Sequence, residues 1–214
     1  MPMPGFITAS AFNKVMTASF GKTVLKYCCR TACERIGVKY LDEQFDISGI
    51  YAIAWGNENE SLAIAEYESQ NFVEVHSRLC FHRVPGAFVG GTCDGLVGDD
   101  GMIEVKCPNS DNHLLNITQD DQVSDYIHQI QGYMWIYDRM WCDFNSFDPR
   151  FPDDLRLYTR RIYRDEAIIS KIRDRAEEME SVISDMVEKV RPGFVFTPSS
   201  ELYKGGVVDY IVNH

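Results

Sequence analysis

Apolar side chains along this chain recur with two different spacings, one typical of helices and one typical of strands. The clearest helical pattern covers residues 165–190, where apolar residues recur every three or four positions and Pro192-Gly193 follows. Ser10 is placed to cap a helix that begins at residue 11, and Gly37 to end the next one. The same pattern predicts further helices over residues 11–17, 23–36, about 58–68 and 120–140.

The strand-like segments are short, rich in Val, Phe and Cys, and bounded by turn residues. They cover residues 72–83, 87–96, 102–107, 142–147 and 157–163. Helices therefore precede, interrupt and follow one small group of strands, which predicts an α/β fold with a central mixed sheet flanked by helices. No repeat or Ser/Gly-rich linker divides the 214 residues, so we expect a single domain over residues 1–214.

Composition and charge exclude several classes of protein. The chain is 45% hydrophobic and 12% aromatic, enough for a substantial core, and its net charge of −11 excludes a uniformly basic nucleic-acid-binding surface. No apolar run approaches the roughly 20 residues of a membrane span, and the first residues lack the pattern of a signal peptide. We therefore expect a cytoplasmic protein that binds no membrane and whose seven cysteines are free thiols.

The charge is unevenly distributed. Residues 1–40 carry six Lys and Arg and one acid, a net charge of +5, so the remainder carries −16. Lys22, Lys26 and Arg30 recur at every fourth position and would share one face of a helix. This basic stripe is either an ordinary solvated helix face or a surface that follows a phosphate backbone.

One hairpin carries the candidate chemistry. Side chains alternate along a strand, so Glu104 and Lys106 share one face of the segment 102–107, and the turn Gly98-Asp99-Asp100-Gly101 brings Asp94 back beside them. Two neighbouring carboxylates raise each other's pKa unless a cation compensates their charge, and Mg²⁺ prefers oxygen ligands of this type. The alternative interpretation is a hairpin with an ordinary surface Glu–Lys pair.

Five motifs, in the same order and spread from residue 7 to about 195, resemble the lambda-type phage exonucleases, or YqaJ-like viral recombinase family. The resemblance implies a restriction-endonuclease-like core of the PD-(D/E)xK nuclease superfamily. The motifs are Ile7-Thr8-Ala9-Ser10, Ala54-Trp55-Gly56 with Glu60, Asp94-Gly95-Leu96, Glu104-Val105-Lys106-Cys107-Pro108, and the segment from Tyr126 to Trp135 with Gln129 and Gln131. Arg164-Asp165-Glu166, before the last long helix, also fits.

The resemblance supports a role for each residue of the site as a hypothesis. Asp94, Glu104 and the Val105 carbonyl would hold a first Mg²⁺, and Asp94 with Glu60 a second, with Mn²⁺ as a plausible substitute. Lys106 would orient or deprotonate the attacking water. Gln129 would hold that water or one bound to the metal. In the alternative interpretation, Glu60 is an acid in the first turn of a helix, and Gln129 and Gln131 lie on exposed helix surface.

A further set of residues is predicted to bind DNA. The family's Ser in the first motif helps bind the 5′ phosphate, which makes Ser10 a candidate. The family's Arg seven residues earlier is replaced here by Met3, so charge would come from elsewhere. The remaining candidates are Lys14, Lys22, Lys26, Arg30, Tyr126 and Gln131.

The resemblance also implies an activity. We expect a Mg²⁺-dependent exodeoxyribonuclease that digests linear duplex DNA from 5′ to 3′, leaving 3′ overhangs for a single-strand annealing protein. The family forms a homotrimeric ring, and a phage-encoded member would act in the bacterial host cytosol. Two alternatives stay open: a site-specific or structure-specific endonuclease on the same core, and a non-catalytic scaffold that binds DNA ends.

Overall fold

The computed structural model describes residues 3–17, 19–38, 47–77 and 79–198 of the chain. The helices are α1 (Phe12–Val15), α2 (Lys22–Arg35), α3 (Ile47–Asn71), α4 (Ser110–Thr118), α5 (Ile127–Tyr137) and α6 (Glu166–Val190), with 3-10 turns at Ala9–Ala11 and Asp120–Tyr126. The strands are β1 (Ile7–Thr8), β2 (Val75–His76), β3 (His82–Arg83), β4 (Val89–Gly91), β5 (Gly95–Val97), β6 (Gly101–Lys106), β7 (Trp141–Phe147) and β8 (Leu157–Tyr163).

The strands form a five-stranded mixed sheet and a smaller three-stranded one. The larger sheet has the order β2-β5-β6-β7-β8, in which only β6 and β7 run parallel. The smaller sheet has the order β1-β4-β3, with β1 and β4 parallel. The predicted mixed sheet flanked by helices is therefore confirmed, although the strands divide between two sheets.

Strand β6 lies at the centre of the large sheet and is buried on both faces. Ile103 and Val105 pack into a smaller apolar cluster that includes Ala63, Ile64 and Tyr67 of α3. Met102, on the opposite face, belongs to the main core with residues of α1, α2, α5 and α6. Glu104 follows Met102 on that second face, so an acidic side chain enters the interior of the protein.

The predicted strands over 72–83 and 87–96 are wrong in extent. Each segment contributes two short strands to two different sheets, β2 with β3 and β4 with β5. Phe72, 95% exposed with a φ of 55°, precedes the first pair outside any strand. Val and Phe are favoured in strands of either sheet, so composition alone does not reveal where the chain passes from one sheet to the other.

The helix predicted over 120–140 is also shorter than expected. Only Ile127–Tyr137 is α-helical, and a separate helix, α4, occupies the segment 109–119 that carried no helical pattern. The buried residues of α4 are His113 and Asn116, so it has no apolar stripe to detect. Asn109 caps it by accepting a hydrogen bond from the Asn112 N–H at 3.0 Å.

Of the other predicted helices, two have the expected bounds, one is longer and one is shorter. Helices α2 and α6 are confirmed to within one residue, because both have apolar stripes that pack on each other and on the sheet. Helix α3 extends beyond the predicted 58–68 in both directions. The helix predicted from residue 11 is a 3-10 turn followed by one α-helical turn. Ser10 lies inside the 3-10 turn rather than capping a helix.

None of the helices that the structure describes is long and apolar enough to cross a lipid bilayer.

The Trp141 ring of β7 fills the space beside Gly101 of β6, and this packing leads to a stability prediction. A Cβ at Gly101 would overlap that ring, which also packs against the Arg161 guanidinium, 3.8 Å from the ring centre. We expect Gly101→Ala to lower the free energy of unfolding in urea by about 1–3 kcal/mol through overpacking. Gly56→Ala, where the Cβ has no atom within 4 Å, should be neutral or stabilising by about 1 kcal/mol. Equal stability of the Gly101→Ala and wild-type proteins would contradict this packing.

Candidate active site

Asp94 and Glu104 are brought together by the antiparallel pairing of β5 with β6. The register that pairs Gly95 with Ile103 places Asp94 beside Glu104, one step further along the ladder. The Val105 N–H donates a hydrogen bond to Oδ2 of Asp94 at 2.7 Å. The predicted hairpin geometry is therefore confirmed, and the Asp94 carboxylate is tied to the backbone of the strand that carries Glu104.

Glu104 is a buried carboxylate whose two oxygens differ in their surroundings. The residue is 1% exposed. Its Oε1 accepts hydrogen bonds from Lys106 Nζ at 2.5 Å and from Gln129 Nε2 at 2.7 Å. Its Oε2 is buried and has no hydrogen-bond partner within the described part of the chain. An unpaired buried carboxylate oxygen is unfavourable, so this atom is a candidate position for a ligand contact.

Lys106 lies at the boundary between the buried site and solvent. Its side chain is 27% exposed, and its Nζ sits 5.3 Å from the centre of the Tyr126 ring. That ring stacks on Phe144 of β7, so it forms a fixed support for the ammonium group. Burial alone would lower the pKa of Lys106, but the charges of Glu104 and Asp94 outweigh it and raise the pKa. Lys106 is therefore held as a cation against both acids.

Gln129 lies in the first turn of α5, and its side chain donates a hydrogen bond to Glu104. It is 8% exposed. Its backbone N–H and its Oε1 both contact Asn13 of α1, at 3.0 Å to Oδ1 and 3.5 Å to Nδ2. Sequence reasoning missed Asn13, because 116 positions separate it from Gln129 and no local pattern signals the contact.

Glu60 lies on α3, which packs on the opposite face of β6. Burial, and then the charge of Glu104, raises the pKa of Glu60. Glu60 also lines an open groove of about 430 Å³ between α3 and β2, together with Glu68 and Ser77. The charge of Glu60 also contributes to the raised pKa of Asp94, after burial and the charge of Glu104.

The chemistry of these side chains fits a divalent cation. Burial, then the neighbouring Glu104, raises the pKa of Asp94 well above its usual value, so the pair is under electrostatic repulsion that a cation would relieve. The described residues contain no group of three or more His, Cys, Asp or Glu side chains arranged to hold a metal, so Glu60 does not complete such a group here. One or two carboxylates are nevertheless what Mg²⁺ typically takes from a protein.

The basic and polar residues predicted to bind DNA lie on exposed surface near the N-terminus. Lys22, Lys26 and Arg30 share the exposed face of α2, and Arg30 is 3.6 Å from Glu34. Ser10 and Lys14 are exposed on the segment that precedes α2. Met3, at the position of the family's Arg, is 6% exposed and belongs to the core, so it offers nothing to a phosphate.

Two of the predicted DNA-binding residues have other surroundings. Gln131 is 1% exposed, its Nε2 donates to the Tyr163 carbonyl, and its Oε1 accepts from the Asp165 N–H, both at 2.9 Å. This burial corrects the prediction of a DNA contact: Gln131 joins α5 to the start of α6. Tyr126 is half-buried between Phe144 and Lys106, so it contacts the site rather than an open surface.

Comparisons with known proteins identify the family and the fold. The sequence profile of the YqaJ-like viral recombinase domain matches residues 4–140. The alkaline exonuclease LHK-Exo of Laribacter hongkongensis is 32% identical, with a TM-score of 0.78 over 88% of this chain and 93% of that one. LHK-Exo has also been solved in complex with dAMP. A phage-related exonuclease from Haemophilus somnus 129PT, 19% identical, has the same fold, with a TM-score of 0.70 over 86% of this chain and 96% of that one.

No protein with a curated description matches the sequence. The structural match to the alkaline exonuclease confirms the restriction-endonuclease-like core predicted from the motifs.

The repulsion between the two buried carboxylates leads to a stability prediction. Asp94→Asn keeps the acceptor for the Val105 N–H, removes one negative charge and adds an amide donor beside Glu104. In EDTA at neutral pH we expect a higher Tm than that of the wild type, by about 2–4 °C for each kcal/mol of repulsion relieved. Calorimetry measures the change, and Asp99→Asn, in the exposed turn of the same hairpin, is the charge-matched control. A lower Tm for Asp94→Asn would mean that the pair is not strained.

Proposed function

Since the chain belongs to the YqaJ-like viral recombinase domain family, as its motifs predicted, we propose that it is a Mg²⁺-dependent exodeoxyribonuclease acting on linear duplex DNA. The alkaline exonuclease LHK-Exo, at 32% identity, supports a nuclease of the hydrolase class. The complex of LHK-Exo with dAMP supports a deoxynucleoside monophosphate as the released product.

The single observation that carries this proposal is the convergence of Asp94, Glu104 and Lys106 with an unpartnered carboxylate oxygen among them. Asp94, Glu104 and the Val105 carbonyl would hold one Mg²⁺, and Asp94 with Glu60 a second. When bound, Mg²⁺ supplies the positive charge that stabilises negative charge developing on the phosphodiester. A scaffold that only bound DNA ends would have no use for a buried carboxylate pair.

The remaining residues of the site act on the water and the phosphate. Lys106, as a cation at the boundary with solvent, would orient the attacking water and offset charge on the phosphate, whereas its raised pKa does not suit the deprotonating role that the resemblance also implied. Gln129 is placed to hold that water through its amide while it fixes Glu104. Tyr126 supports the Lys106 ammonium, so the amine stays within reach of both carboxylates.

The finer features of the proposal rest on the family resemblance. Digestion would proceed from the 5′ end and leave 3′ overhangs for a single-strand annealing partner, in the cytoplasm of a bacterial host. An acidic exterior with a basic lining would suit a homotrimeric ring, because DNA is repelled outside and attracted inside. The basic stripe of α2 is our candidate for part of that lining.

The activity is tested on DNA with and without ends. We expect Mg²⁺-dependent release of acid-soluble nucleotides from linear duplex DNA, none from a covalently closed circle, and none in EDTA. Asp94→Ala should lower the rate by roughly 10²-fold or more, because it removes a shared metal ligand. Asp99→Ala, in the exposed turn of the same hairpin, should behave as the wild type. Digestion of the circle would favour the endonuclease alternative, and undiminished activity of Asp94→Ala would refute the site.

The basic stripe is tested through the salt dependence of DNA binding. Lys22→Gln/Lys26→Gln should weaken duplex binding in EDTA and reduce the slope of log K against log salt by about 0.9 for each phosphate that the protein no longer neutralises. Lys171→Gln/Lys189→Gln removes the same charge from exposed positions of α6 and should leave that slope unchanged. Equal slopes for both double variants would show that the stripe is an ordinary solvated helix face.

A further inference from the structure

Helix α5 begins without a cap of its own. Its N-cap residue, Tyr126, makes no side-chain hydrogen bond to the first turn. The Gln129 N–H belongs to that turn and has no acceptor within the helix. Asn13 supplies one from another helix, because its Oδ1 accepts this N–H at 3.0 Å. The short helix α1 therefore caps the helix that carries Gln129.

The same Asn13 carboxamide also contacts the side chain of Gln129. Its Nδ2 donates to Gln129 Oε1 at 3.5 Å, while Gln129 Nε2 donates to Glu104 Oε1 at 2.7 Å. An amide has one accepting and one donating end, so the two contacts together specify a single orientation. With its oxygen turned to Asn13, Gln129 must present its NH₂ group to Glu104.

We propose that Asn13 is a positioning residue of the nuclease site, acting on Glu104 through the orientation of Gln129. This inference rests on the proposed function. Asn13 holds the Gln129 amide so that its NH₂ group donates to Oε1 of Glu104. The other oxygen, Oε2, then stays without a partner among the described residues and is the proposed ligand atom. Asn13 also lies between the exposed Ser10 and Lys14, so it links the segment predicted to bind the DNA end to the site of hydrolysis.

Asn13→Asp separates this role from a purely structural one. The introduced carboxylate keeps an acceptor for the Gln129 N–H, and its charge is favourable at a helix N-terminus, so the cap and the fold are retained. It offers no donor to Gln129 Oε1, however. Gln129 would then turn its NH₂ group towards this new carboxylate and its oxygen towards Glu104, and the hydrogen bond to Glu104 would be lost.

The kinetic test is a double-mutant cycle of Asn13→Asp and Gln129→Ala. We expect Asn13→Asp to lower kcat roughly 10-fold through misplacement of the site, with little change in KM. In the Gln129→Ala background the same substitution should change kcat by less than about 2-fold, because its effect is transmitted by Gln129. Asn71→Asp, which likewise loses an amide donor and gains a charge on another helix, should leave kcat unchanged.

A second readout does not depend on activity. The Gln129 side-chain NH₂ resonance, identified by its absence in Gln129→Ala, should shift in ¹⁵N-labelled Asn13→Asp and stay in place in Asn71→Asp. If the wild type releases no nucleotide from DNA, the proposed function fails, while this resonance still decides whether Asn13 orients Gln129.

Two outcomes would overturn the inference. One is a loss of kcat for Asn13→Asp that is equally large with and without Gln129, which would indicate a general effect of the added charge. The other is an unchanged Gln129 resonance in Asn13→Asp, which would show that the amide orientation does not depend on Asn13.

Discussion

The hydrogen bond from the Val105 N–H to the Asp94 carboxylate is the interaction on which the site depends. It lies just before β5 begins and fixes a second acid beside Glu104 of the buried strand β6. Burial, and then repulsion by Glu104, raises the pKa of Asp94. Lys106 and Gln129 stabilise only part of the Glu104 carboxylate, because both donate hydrogen bonds to the same oxygen.

Two other buried acids, in or next to β7, have hydrogen-bond partners on both carboxylate oxygens. Asp143 of β7 receives two hydrogen bonds from Arg161, both at 2.8 Å, and a third from the Tyr67 hydroxyl at 2.7 Å. Asp148, which follows β7, receives bonds from Arg150 and Ser110; burial would raise its pKa, but the Arg150 bonds outweigh it and lower the pKa. Both oxygens of each acid are satisfied. Glu104 differs, because its Oε2 has no hydrogen-bond partner in the described part of the chain, and this atom is our candidate for a cation ligand.

The sequence predicted those features that are local or periodic. The stripe of α6, strand β8 and the hairpin that joins Asp94 to Glu104 follow from spacings of two, three or four residues. Helix α4 escaped prediction because its buried face carries His113 and Asn116, which bond to Ser146 of β7 instead of packing as apolar groups. Contacts between distant segments were not predicted, for a different reason. The side chains of Asn13 and Gln131 meet partners 116 and more than 30 positions away, which no local pattern encodes.

The central claim is that the bare oxygen of Glu104 and the carboxylate of Asp94 form the binding site of a divalent cation. It is tested most directly by an anomalous-difference map at the manganese absorption edge, from crystals of the protein grown with Mn²⁺. The account predicts a peak within ligand distance of both carboxylates, which disappears in crystals of Asp94→Asn. A map without a peak at Asp94 and Glu104 at saturating Mn²⁺, or a peak bound only by other residues, would contradict it.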